Sequence, residues 1–121
     1  DDPDPVSRLG RLIRSHLETV AAELSSATVF SNEWQCLSDA RRREIARRRD
    51  AYEAIFRRTI DQGVTEGVFR VADPKLAAIY VLSVLNWSYQ WFKPAASLSI
   101  DEVADHFAAL TFRALGADHA A

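Results

Sequence analysis

The sequence predicts an all-α fold, and three observations carry that reading. Apolar residues recur at spacings of three and four along most of the chain. Asp-Pro and Ser-x-x-Glu start signals stand directly ahead of those runs. Period-2 alternation and Asn-Gly or Asp-Gly hairpin turns are both missing. The expected architecture is five helices in one domain spanning residues 1–121, a length that buries a real core.

The first helix is expected after Asp4-Pro5, with Asp as N-cap and Pro at the first helical position, and it runs to about Leu24. Leu9, Ile13, Leu17, Val20 and Leu24 make its single apolar stripe. A short second helix is expected over Ser26 to Leu37. The third and longest starts at Ser38 or Asp39 and reaches Gly63 or Gly67. At 100° per residue, Ile45, Tyr52, Phe56, Ile60 and Gly63 share one sector, and Arg43, Arg47, Arg57 and Arg58 lie opposite as a solvated face. Arg48 and Arg49 flank the apolar sector instead.

Asp73-Pro74 opens the fourth helix, and its body LAAIYVLSVLNWSYQWF is apolar on two faces before Pro94 stops it. One stripe is Leu76, Tyr80, Val84, Trp87 and Trp91; the other is Val81, Leu85, Tyr89 and Phe92. A helix apolar nearly all round is buried nearly all round. In so small a chain, one face is expected on the protomer and the other on a second subunit. Ser99 with Glu102 forms a capping box for the fifth helix, whose core stripe is Ile100, Val103, Phe107 and Leu110. Ala104, Ala108 and Thr111 form a strip of small residues beside it, and Gly116 ends the helix.

Composition narrows the function classes. The chain carries 15 Lys and Arg against 17 Asp and Glu, a net charge of −2, whereas a module gripping DNA phosphates carries a basic surplus. The single cysteine, Cys36, forms no intramolecular disulfide, and His16, His106 and His119 lack metal-ligand spacing, so neither cofactor nor metal is expected. No run of 18 apolar residues appears and no signal peptide opens the chain, which reads as cytoplasmic with no membrane partner. Residues 1–5 read as a linker from something longer.

The segments RRRDAYEAIFRRTIDQGVTEGVFR (47–70), DPKLAAIYVLSVLNWSYQWFKP (73–94) and LSIDEVADHFAALTFRALG (98–116) carry a family resemblance, to which NEWQCL (32–37) adds. Their order resembles the C-terminal domains of TetR-family transcriptional repressors, and most of all actinobacterial members that control fatty-acid or steroid breakdown and respond to acyl-CoA thioesters. The resemblance implies an effector pocket among the first four helices. It implies a homodimer whose last two helices pair with a partner's in a four-helix bundle. It also implies an N-terminal helix-turn-helix domain, absent from this chain, through which alone operator DNA is bound.

Candidate site residues follow from both readings. Phe30, Trp34, Tyr52, Phe56 and Trp87 are aromatic side chains suited either to core or to the wall of an apolar pocket. Ser83, with Asn86 and Gln90, forms a polar strip able to bond a ligand carbonyl or amide. Arg48 and Arg49, bordering an apolar sector, can bury their stems and fork onto a phosphate or carboxylate. His16 reads as a hydrogen-bonded histidine at the edge of the core. The expected dimer interface is Val81, Leu85, Tyr89, Phe92, Ala104, Ala108 and Thr111. No G-x-S-x-G, His-Glu-x-x-His or Gly-rich phosphate loop occurs, so an enzyme is not expected. The alternative is a helical homodimeric interaction module with no small-molecule site.

Overall fold

A computed structural model describes residues 4–23, 37–93 and 98–117. These residues form α1 (Pro5–Ala22), α2 (Asp39–Thr65), α3 (Pro74–Trp87) with a 3₁₀ turn at Ser88–Gln90, and α4 (Ile100–Ala114). No strand occurs among them. The helix expected over 26–37 falls outside the described residues, apart from Leu37.

Each start signal works by satisfying orphan backbone donors. Asp4 accepts from the Val6 N–H at 3.2 Å, Ser38 from Arg41 at 3.2 Å, and Asp73 from Lys75 at 3.0 Å and Leu76 at 3.2 Å. At α4 the Ser99 hydroxyl accepts from the Glu102 N–H at 3.1 Å, while the Glu102 carboxylate accepts from the Ser99 N–H at 2.9 Å. Those bonds to Ser99 hold the Glu102 carboxyl below its ordinary range.

The Glu66-Gly67-Val68-Phe69-Arg70 segment is a helix stop that doubles as a core plug. Gly67 sits at φ +80°, and the N–H groups of Val68 and Phe69 return to the Gly63 carbonyl at 2.9 and 3.1 Å. The turn folds the buried Phe69 ring over Gly63, where no larger residue fits. Arg70 N–H then donates to the Leu115 carbonyl at 2.7 Å, tying this turn to the end of α4, where Gly116 takes φ +83°.

Helix α1 packs against both α4 and α2, and α2 packs against α3. The core runs through Leu9, Ile13 and Leu17 of α1, Phe56 and Ile60 of α2, Ala78, Val81, Leu82 and Leu85 of α3, and Val103 and Ala104 of α4. Exposed ion pairs from Arg14 to Asp101 (2.8 Å) and Asp105 add little to the α1–α4 contact.

Two sequence expectations change here. The fourth helix stops at Trp87, where the buried Ser88 donates its hydroxyl to the Leu85 carbonyl at 2.6 Å and the backbone tightens into the 3₁₀ turn. Leu110, assigned to the core stripe of α4, is 60% exposed, because α1 approaches that helix from the side of Asp101 and Asp105, which pair with Arg14 and lie roughly opposite Leu110.

Candidate functional site

Between α2 and α3, next to the end of α1, lies an open cleft of about 980 Å³. Val20, Ile45, Ile79 and Leu82 supply its apolar wall. Arg48 and Arg49 on α2 and Lys75 at the start of α3 supply cations, with Asp50 and Glu53 among them. Tyr52, Ser83, Asn86 and Tyr89 supply hydroxyl and amide groups.

Helical spacing creates this division. Ile45, Tyr52 and Phe56 follow one another down a single face of α2, with Phe56 buried and Ile45 and Tyr52 half-buried as the face emerges from the core. Arg48 and Arg49 fall on the shoulders of that face and lean over the cleft. Arg48 also donates to Glu44 at 3.2 Å, and Arg47 bonds the same carboxylate. Those two guanidinium groups hold the Glu44 carboxyl below its ordinary range.

At the cleft edge, His16 bridges the other two helices. Its Nδ1 lies 2.9 Å from the Tyr52 hydroxyl and its Nε2 lies 2.8 Å from Asn86 Oδ1. The imidazole stacks on the Tyr52 ring at 5.5 Å and meets the edge of Phe56 at 6.4 Å. Burial lowers the His16 pKa, outweighing the opposing effect of the Asn86 hydrogen bond, so the ring favours the neutral form. Burial likewise raises the Tyr52 pKa, keeping its hydroxyl protonated. Glu53 Oε2 is a buried acceptor with no hydrogen-bond partner among the described residues, an arrangement that favours a donor at this wall.

The expected site residues are distributed as follows. Arg48, Arg49, Tyr52 and Ser83 line the cleft together. Phe30 and Trp34 lie outside the described residues. Phe56 is fully buried beneath Tyr52, with ring centroids 5.3 Å apart, and presents no surface to a ligand in the cleft. Trp87 is 61% exposed on the other side of α3, with its ring against Tyr89 at 6.4 Å. Tyr89, expected at a subunit interface, lines the cleft instead.

Val81, Leu85, Phe92 and Ala104, also expected at the interface, are covered by the chain's own helices and retain almost no surface for a partner. Ala108 and Thr111 remain half-buried. Besides Ile79 in the cleft, the exposed large apolar side chains of α3 are Leu76, Tyr80, Val84 and Trp87. A shallow groove of about 230 Å³ beside them is lined by Tyr80, Val81, Val84, Phe107, Leu110, Thr111 and Ala114.

Asp50, Glu53, Lys75, Ile79, Leu82 and Tyr89 also line the cleft, and no motif in the sequence marks them as site residues. Asn86 and His16 stand 70 residues apart, and nothing in the sequence joins them. The one available signal was the three-residue step from Ser83 to Asn86, which puts both on one side of α3.

Among the described residues no helix is long and apolar enough to cross a membrane. A comparison with curated protein sequences returned no match. Solved structures did match. A TetR/AcrR-family transcriptional regulator from Thermobifida fusca is 31% identical, with a TM-score of 0.82 over 93% of this chain and 59% of that one. PfmR, a TetR-family regulator from Thermus thermophilus, is 31% identical with a TM-score of 0.87 over 93% and 62%. AibR, solved in complex with isovaleryl coenzyme A and operator DNA, is 27% identical with a TM-score of 0.81 over 93% and 61%. The chain thus spans about three-fifths of the length of these regulators. The model of the tetracycline-repressor-like C-terminal domain matches residues 2–115, and the chain belongs to that family.

Proposed function

We propose that this chain is the effector-binding and dimerisation part of a transcriptional repressor, and that its effector is a small apolar acid carried as an acyl-CoA thioester. The lining of the cleft carries the reading: an apolar wall of Val20, Ile45, Ile79 and Leu82 lies beside Arg48, Arg49 and Lys75. An acyl chain on that wall gains roughly 0.8 kcal/mol per buried CH₂, and the cations suit the phosphates of the headgroup. AibR, similar over most of this chain, was solved with isovaleryl coenzyme A and supports the same ligand class.

The second subunit would meet the outward apolar face of α3 and α4, formed by Leu76, Tyr80, Val84, Trp87 and Leu110. Large exposed apolar patches of this kind mark association surfaces. Operator DNA would be bound by a helix-turn-helix domain attached ahead of this region, since the chain itself has an acidic balance. An effector acts on such a dimer only if it binds two arrangements of the protomers with different affinity. Titrating acyl-CoAs of varied chain length, with free CoA and free acid as controls, tests the reading. Affinity should rise with chain length and fall in Arg48→Ala and Arg49→Ala. Thioesters that bind no better than free acid would refute the headgroup assignment.

A further inference from the structure

The hydrogen-bonded chain Tyr52–His16–Asn86 has a direction, and the direction has a chemical consequence. Asn86 presents its Oδ1 to His16 Nε2 at 2.8 Å. A carbonyl oxygen only accepts, so Nε2 carries the proton. The neutral ring, favoured by burial, then leaves Nδ1 as an acceptor, and the Tyr52 hydroxyl donates to it at 2.9 Å. Proton donation therefore runs from Tyr52 to His16 to Asn86. The chain ends on the Asn86 amide nitrogen, whose two N–H groups are the donors left on that side chain.

The neighbouring polar groups have complementary roles. Ser83 Oγ donates its proton to the Ile79 carbonyl at 2.7 Å and so faces the cleft as an acceptor. Having donated to His16, the Tyr52 hydroxyl is an acceptor as well. Two neutral donors therefore line the cleft: the Tyr89 hydroxyl, which accepts from Gln90 Nε2 at 2.7 Å and keeps its own proton to give, and the Asn86 amide, whose orientation is fixed by its bond to His16.

We propose that Asn86 Nδ2 recognises a carbonyl oxygen of the effector, of the thioester, ester or amide type, and that His16 is the positioning residue that fixes the Asn86 amide in the donating orientation. Helix α1 contributes to ligand selection in this way without lining the carbonyl site. The inference rests on the cleft being the effector site, and it does not require coenzyme A.

The test uses two pairs of probes differing only at the carbonyl: hexanoyl-CoA against S-hexyl-CoA, and methyl hexanoate against hexyl methyl ether. Calorimetric titration should show the carbonyl member of each pair binding roughly three- to tenfold more tightly, the range of one net hydrogen bond. In Asn86→Ala and His16→Phe that ratio should fall to about one while the ether affinities hold. His16→Gln, which keeps a donor near the Nε2 position, should restore it. In the wild-type protein, ¹⁵N NMR should show His16 as the Nε2–H tautomer, and the Asn86 side-chain amide should shift with methyl hexanoate but not with the ether. That readout needs no variant to fold. Equal affinities within both pairs, a ratio that survives Asn86→Ala, or an Nδ1–H tautomer would overturn the proposal, and so would failure of all four probes to bind. If neither CoA compound binds while the ester and ether still differ through Asn86, carbonyl recognition stands and the CoA reading falls.

Discussion

Tyr80 and Val81 are adjacent in the chain, yet the first is 60% exposed and the second 2%. The same split runs along α3: Ala78, Leu82 and Leu85 are buried, while Leu76, Val84 and Trp87 face outward. Hydropathy does not separate the two faces, and the outward one carries the larger aromatic payload. What separates them is the position of α1 and α2, which cover one side of α3 and leave the other uncovered among the described residues. An apolar face that the described residues leave uncovered is a candidate association surface, and hydropathy alone does not tell it from the core.

Substituting neighbours on opposite faces breaks this comparison most sharply. Leu85→Arg places an unpaired charge in the protomer core and should cost several kcal/mol, enough to abolish a cooperative thermal transition. Val84→Arg, one residue away, should leave the protomer's thermal midpoint within a few degrees. It should also weaken self-association by about a hundredfold, or 2–3 kcal/mol, in sedimentation experiments. If the sedimentation coefficient of Val84→Arg matches wild type, the outward face is not the interface.

A smaller effect tests how tightly the inward face is packed. Ala78 is fully buried, so Ala78→Leu should destabilise by about 1–3 kcal/mol through overpacking. Leu76→Ala on the outward face should stay within about 0.5 kcal/mol in the isolated protomer. Chemical denaturation of both variants at low protein concentration checks the pair.

The smallest expected effect lies at the cleft edge, where Asn86 of α3 meets His16 of α1. Burial lowers the His16 pKa below its ordinary value near 6.5, so the unfolded chain binds that proton more readily than the folded one. This contribution to stability is fully present above the ordinary value, declines as pH falls through it, and levels off below the folded pKa. Its slope cannot exceed about 1.4 kcal/mol per pH unit. Denaturation measured across that window should show the decline in wild type and a flatter profile in His16→Gln.

Local chemistry made the helices readable before any tertiary contact was known. Asp4, Ser38, Asp73 and Ser99 each sit where the next backbone N–H groups need an acceptor, and all four serve as caps. Gly67 and Gly116 stand where the chain must adopt positive φ after a helix. The inward sector of α2 and the stripe Leu9, Ile13 and Leu17 of α1 were likewise legible, since each helix has one apolar face and one way to bury it. The shoulder positions of Arg48 and Arg49 followed from the same rotation and carry over to the cleft.

Only the tertiary structure decided which side of α3 is core, because two apolar stripes on one helix are equivalent until a neighbouring helix covers one of them. That is why Trp87 faces outward and Tyr89 lines the cleft, the reverse of the roles their stripes suggested. The pairing of His16 with Asn86 has the same origin. Nothing local joins two polar residues 70 positions apart; the packing of α1 and α3 around Phe56 brings the ring and the amide within 2.8 Å and sets the orientation of both.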